Sequence, residues 1–229
     1  MVMSMTNNYS QSYNSIFLKK YKELEKLETN EPNKYNFLLR KHRNEMDTFR
    51  YMRNTLAHNL IDGYDPFIVS SSVVSLISEY LEEVSKKAMD IAVKDKDMIV
   101  VSYFDTLKDA LLLMGNNNYS YLPIVDSDNK VLGIVSSDTI IDLLNKKEEL
   151  NVSKDDKLNK YASYFNLSNK TNGIVLFFKQ DIDVYELHDF VDGYQHTTHK
   201  CNLILLTTTG DKNGKLLGLL TPWDLLKNS

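Results

Sequence analysis

Two short stretches hold side chains whose types and spacing suit work on a phosphorylated ligand. The first is Gly218-Leu219-Leu220-Thr221-Pro222-Trp223-Asp224-Leu225-Leu226. An apolar run gives way there to a hydroxyl, a proline and then a carboxylate. Thr221 suits a helix N-cap, and Pro222 at the first helical position has the right φ and no amide to leave unsatisfied. The free N–H groups and the dipole of a helix start attract phosphate. Thr221 can donate to a phosphate or ribose oxygen. Asp224 can accept from both ribose hydroxyls, because an ionised carboxylate has two acceptor oxygens. The same Thr-x-x-acid spacing is also a plain capping box that needs no ligand. Both readings stand at this level.

The second stretch is Arg53-Asn54-Thr55-Leu56-Ala57-His58. On a helix, Asn54 and His58 are four apart and share a face. Arg53 lies about 100° round from Asn54, by the helical period. A guanidinium beside an imidazole suits a phosphodiester: histidine can move a proton near neutral pH, and arginine can hold a phosphoryl oxygen. Such a pair could cleave RNA without metal, activating the ribose 2′-OH and steadying the charge on phosphorus. The alternative is structural. His58 in a last helical turn complements the C-terminal dipole, Asn59 caps the helix, and the Arg53 stem covers a neighbour. A third cluster, His196-x-x-His199-x-Cys201, holds metal-ligand types, but alternation along a strand entry would spread them apart. It reads as a loop leading into a core strand, and no metal site is assigned. Ser136-Ser137-Asp138 has no histidine at a helpful spacing and does not suggest a hydrolase.

The elements that must position these residues come from the apolar pattern. The first 14 residues are polar and read as a flexible N-terminus. Phe17, Tyr21 and Leu24 keep helical spacing over about 15–28, and Glu31-Pro32 breaks it. A second helix is expected from Lys34 into the fifties. It carries Tyr35, Leu38 and Leu39, then Met46, Phe49, Met52 and Leu56. A third follows Ser70–Ser72 with Leu76, Ile77, Tyr80 and Val84. Residues 15–86 therefore read as a small helical bundle. Beyond Lys87 the pattern changes to strand (98–101), helix from Asp105 to Gly115, strand (121–125), turn, strand (131–135) and helix (139–144). The order recurs as strand (174–178), helix from Asp183, strand (203–206), turn, strand (216–220) and helix (222–226). Val131-Leu132-Gly133-Ile134-Val135-Ser136 matches Leu216-Leu217-Gly218-Leu219-Leu220-Thr221, with the glycines 85 residues apart. An internal repeat of this kind is the strongest organisational signal in the chain. Residues 147–160, charged and polar, read as a linker ahead of a second copy over 161–229.

Composition fits this α+β organisation. The chain has 229 residues, 42% apolar and 25% charged, which excludes a disordered chain or a fibre. Its 27 basic and 31 acidic residues give a formal charge of −4. From Ser15 to Asn59 there are ten basic and six acidic residues, a net of +4; from Leu60 onward the net is −8. The front is thus the part better suited to a polyanion. One cysteine excludes an intrachain disulfide and a thiolate zinc cluster. The first basic residue is Lys19 and no apolar run reaches bilayer length, so a signal peptide and a membrane span are not expected. A cytoplasmic setting is the expectation that follows.

The two strand–helix–strand–strand–helix units, each closing on a Gly-apolar-apolar-Ser/Thr joint, resemble a tandem pair of CBS domains, a Bateman module. The resemblance covers about 87–229. It rests on Tyr121-Leu122-Pro123-Ile124-Val125 with Gly133-Ile134-Val135-Ser136 in the first copy (87–146), and on Gly218–Leu226 in the second. It implies a two-fold module that binds AMP, ADP, ATP or a related adenosine compound between its copies and acts as a sensor, with no cofactor required. Thr221 would meet phosphate and Asp224 ribose. Ser136 matches the hydroxyl position of the first copy, but its acidic position falls on Thr139, with Asp138 one place early, so one occupied site per chain is expected. Ile99 and Val100, and Ile174 and Val175, fall where the adenine pocket would lie; their role as sheet core is an equal reading. Arg-Asn-x-x-x-His at the end of a long helix in a small bundle resembles the HEPN superfamily. That resemblance implies RNA as a partner, Arg53, Asn54 and His58 as catalytic residues, and a homodimer.

Three functions follow as expectations. The first is a sensor that passes nucleotide binding in 87–229 to the helical front. The second is a ligand-gated, metal-independent endoribonuclease. The third is a non-catalytic dimerisation or interaction module.

Overall fold

A helix that begins in a polar stretch opens the chain. The computed structural model describes residues 3–58, 61, 63–94, 97–146, 151–169, 173–195 and 201–227. It divides into two compact units, Met1–Lys86 and Lys87–Ser229. In the first, α1 (Met3–Asn30) starts well ahead of the expected Ser15. The sequence pattern misses this start because its apolar stripe begins only at Phe17. Phe17, Tyr21 and Leu24 are buried against α2 (Pro32–Lys41), α3 (Arg43–His58) and α4 (Ser71–Glu83). Phe17 meets Phe49 edge-on at 6.1 Å, and Phe49 meets Tyr80 at 5.9 Å. Such tilted pairs add to the burial term.

The expected single helix from Lys34 into the fifties is two helices. His42 breaks it, with φ −126° and ψ 41°. Its ring stacks on Tyr80 at 3.9 Å, and Nε2 lies 2.9 Å from the Glu83 carboxylate. Lys41 Nζ reaches the other Glu83 oxygen at 2.6 Å. Burial pushes the Glu83 carboxyl up, but the hydrogen bonds and charges of Lys41 and His42 outweigh it and hold it below the usual carboxylate range. The break thus pins the α2–α3 joint to the end of α4.

The second unit builds each copy on its own sheet. Helix α6 (Leu107–Asn117) runs past the expected stop at Gly115 and ends on Asn118 in the left-handed region, φ 54°. Strands β2 (Tyr121–Val125) and β3 (Val131–Ser136) pair antiparallel, and α7 (Ser137–Asn145) follows. The expected strand at 98–101 is reduced to one parallel bridge, Val101 to Ile124. The second copy has β4 (Ile174–Lys179), α9 (Val184–Gln195), β5 (Cys201–Thr207), β6 (Leu216–Leu220) and α10 (Pro222–Leu226). There β4 runs parallel to β5, and β5 antiparallel to β6. Alternation along each strand sends successive side chains to opposite faces. Ile204 and Leu206 enter the core of their own copy, while Leu203 and Leu205 join Val131 and Ile134 in a layer shared by both copies.

The segment leading into each copy packs on the other one. Ahead of the first copy, α5 (Ala88–Ile91) and β1 (Val93–Lys94) form one strap, and β1 pairs with β6. Ala88 is fully buried in the second copy's core. Ahead of the second copy, a 3-10 turn (Leu158–Tyr161) and α8 (Ala162–Phe165) form the other strap. Leu158, Tyr161 and Phe165 fill the first copy's core. Residues read as linker and as the start of the second copy therefore complete the first. Equivalent backbone bonds fix both straps: Ala88 N donates to Ile182 O, and Leu158 N to Asp105 O, each at 2.9 Å. The repeat glycines sit where the straps cross. A Cβ on Gly133 would lie 2.5 Å from the Phe165 carbonyl oxygen, and one on Gly218 would lie 3.1 Å from Ala92 Cβ.

Candidate functional site

The two strand-to-helix joints of the second unit have the same backbone and different chemistry. At the second joint Thr221 is extended, φ −108° and ψ 163°, because it follows directly on β6 while its carbonyl already accepts from Asp224 N at 3.0 Å. Thr221 N and Thr221 Oγ1 both donate to Asp224 Oδ2, each at 2.8 Å. Thr221 and Asp224 are half-buried, and Trp223 between them is 71% exposed. The capping geometry read from the sequence is present, and it leaves the pair in contact with solvent.

The first joint is shut. Ser136 caps α7 with φ −122° and ψ 157°, and its Oγ accepts from Thr139 N at 3.1 Å and lies 2.6 Å from Thr139 Oγ1. Ser136 is 1% exposed and Thr139 0%. Two short hydroxyls meet where the second joint has a hydroxyl and a carboxylate. Asp138 is exposed one position earlier, and burial followed by its charge raises the Tyr121 phenol. The strand residues divide as well. Ile99 packs on the first copy's core, whereas Val100 and Val175 pack on the shared layer. Ile174 is half-buried and pairs with Cys201.

In the helical unit, α3 carries Arg53, Asn54 and His58 in its last turns, with Asn54 and His58 exposed. Arg53 is engaged. Its Nη2 meets Glu25 Oε1 at 2.7 Å, its Nη1 donates to Asn54 Oδ1 at 3.0 Å, and its guanidinium carbon stands 6.0 Å from the Tyr21 ring centre. Glu25 escaped the sequence reading, and Tyr21 was read only as part of the apolar stripe of α1. Their spacing of four residues on α1 is visible in the sequence, but nothing there says that α1 faces this turn of α3. His196 and His199 lie outside the described residues, as does Asn59. Burial pushes the Cys201 thiol up to about 11, which keeps it protonated near neutral pH. Among the described residues no group of three His, Cys, Asp or Glu side chains could hold a metal ion, and no helix is long and apolar enough to cross a membrane.

Known proteins match part of this chain. Residues 88–146 match the family model for the CBS domain. Fold and match thus define a module of two repeated α/β copies, the first of which matches the CBS-domain model. Among curated proteins, "Uncharacterized protein MJ1232" of Methanocaldococcus jannaschii is 30% identical over 105 residues, 44% of this chain and 34% of that protein. The chain spans about a third or less of the length of the curated relatives it matches. Among solved structures, CbpB in complex with c-di-AMP aligns with a TM-score of 0.48 at 12% identity, over 67% of this chain and 90% of that one. CBSX2 in complex with AMP aligns with a TM-score of 0.46 at 17% identity, over 62% and 94%.

Proposed function

We propose that the second unit is a sensor that binds one adenosine-containing nucleotide per chain at the Thr221–Asp224 joint and passes that binding to the helical unit. The observation that carries this reading is the contrast between the joints: a half-open hydroxyl–carboxylate pair at the second, a closed hydroxyl pair at the first. The CBS match supports the module's class. Transmission would be linkage, in which a ligand shifts an equilibrium only by its differential affinity for two arrangements. The test is thermal unfolding and calorimetry with AMP, ADP, ATP and cyclic di-AMP. One of these stabilises the chain by about 2.7 kcal/mol at a hundredfold excess over Kd. Asp224→Ala weakens that binding by about tenfold to a hundredfold, the range for a lost hydrogen bond to a charged group. Thr139→Val leaves it unchanged. No shift with any compound, or equal binding by Asp224→Ala, overturns the assignment.

The reading includes a homodimer. Ile141 and Leu144 on α7, and Trp223 and Leu226 on α10, are all at least 50% exposed, apolar side chains that a second copy would cover. Light scattering that returns the 26.5 kDa chain mass removes it.

A second reading, a metal-independent ribonuclease, is favoured by the exposure of Asn54 and His58 on the α3 turns that carry Arg53. It predicts RNA cleavage in EDTA with 2′,3′-cyclic phosphate ends, lost in His58→Ala. Absence of such ends in the wild-type digest rejects it.

A further inference from the structure

On the RNA reading of α3, a phosphate would bind the helical unit through Arg53, and the chain already supplies an anion to that residue. Glu25 Oε1 lies 2.7 Å from Nη2, with the two side chains 37% and 34% exposed. Helix α1 also offers the Tyr21 ring, one turn before Glu25, at 6.0 Å from the guanidinium carbon. A carboxylate and an aromatic face are the two surfaces that hold a planar cation. An ion pair this open to solvent contributes only about 0–1 kcal/mol to folding. Its larger effect falls on what else the guanidinium can bind. Carboxylate and phosphodiester oxygens take guanidinium N–H groups in the same planar geometry. Asn54 already takes an N–H of Nη1, so Glu25 stands on the remaining terminal nitrogen.

We propose that Glu25 is a resident competitor on Arg53, occupying the guanidinium edge that a phosphodiester of single-stranded RNA takes. RNA binds there by displacing the carboxylate. This rests on the RNA reading of α3 and names how that site is regulated. Displacement leaves a bare carboxylate beside a phosphate, and that carboxylate recruits a cation of its own. Part of the counterion release that drives RNA binding is therefore cancelled in the wild type. Glu25→Gln keeps the shape and a hydrogen-bond acceptor but removes the charge, so the cancellation ends. A residue that merely positioned Arg53 would act in the opposite direction.

The experiment is fluorescence anisotropy of a fluorescein-labelled single-stranded RNA with the full chain, over a series of KCl concentrations. Glu25→Gln binds about tenfold tighter, equivalent to about 1.4 kcal/mol. Its log–log salt slope is steeper by about 0.7, the value for one further phosphate contact on a single strand. Arg53→Ala binds more weakly than wild type. The double variant binds like Arg53→Ala, which shows that Glu25 acts through Arg53. Unchanged or weaker binding by Glu25→Gln, with Arg53→Ala still impaired, overturns the competitor and leaves the RNA reading standing. If Arg53→Ala binds like wild type, or no variant binds, the RNA reading itself fails and takes the competitor with it.

Discussion

Gly133→Ala destabilises the second unit by about 3 kcal/mol, the upper end for overpacking, and Gly218→Ala by about 1 kcal/mol. Both glycines occupy the same place in the repeat, so residue type and local sequence predict equal costs. The straps make them unequal. A methyl on Gly133 meets the Phe165 carbonyl oxygen at 2.5 Å and the Tyr103 hydroxyl at 2.9 Å. The tyrosine can swing away. The carbonyl belongs to a backbone held down by Leu158, Tyr161 and Phe165, all at most 2% exposed in the first copy's core. Relief requires moving that strap, and a close-packed interior transmits the strain. A methyl on Gly218 meets Ala92 Cβ at 3.1 Å and Met89 Sδ at 3.2 Å. Methionine is flexible and half-buried there, so a shift of a few tenths of an ångström suffices. Neither glycine has a positive φ, so space and not dihedral freedom sets the cost. Urea unfolding followed by circular dichroism reads the difference. Equal costs, or a larger one at Gly218, would show that the straps do not constrain these crossings.

The same contrast shows what a sequence can reveal. The repeat, its joints and its turns were legible because they are local: alternation, a glycine before a hydroxyl, a proline at a helix start. Thr221 with Asp224 was also legible as a cap, since the two lie three residues apart, whereas Ser136 with Thr139 was read only as the matching positions of the first copy. What was hidden is tertiary. Nothing near Leu158 says that it belongs to the copy preceding it. The break at His42 depends on Tyr80 and Glu83, some forty residues on, and its flanking apolar pattern continues as though one helix ran through. The 98–101 segment has strand composition, but only Val101 finds a bridge partner. In the last turns of α3, spacing gave Arg53, Asn54 and His58, while the carboxylate that meets Arg53 lies on α1.

Asn14→Ala shows the other cost of reading locally, and it destabilises the helical unit by about 3 kcal/mol, from leaving buried polar groups unpaired. Asn14 lies at the end of a polar stretch that reads as a frayed terminus, yet it is 3% exposed. Its Nδ2 donates to Asp65 Oδ2 at 2.8 Å and to the Phe67 carbonyl at 2.9 Å, and its Oδ1 accepts from Val69 N at 2.8 Å. One amide thus clamps 65–69 onto α1, and Val69 behind it is 1% exposed. Truncation strands the Val69 N–H where water does not reach, which costs more than the net worth of the bond it breaks. Asn14→Asp cannot substitute. Its carboxylate can accept from Val69 but has no hydrogen for Asp65 or Phe67, and it sets two negative charges side by side. Amide hydrogen exchange separates this from a global effect. In Asn14→Ala the Val69 amide exchanges faster, as local opening of 63–69 becomes easier, while amides of β5 and β6 keep their protection. An unchanged Val69 amide would mean that 65–69 is held by its apolar contacts alone and that the buried amide is incidental.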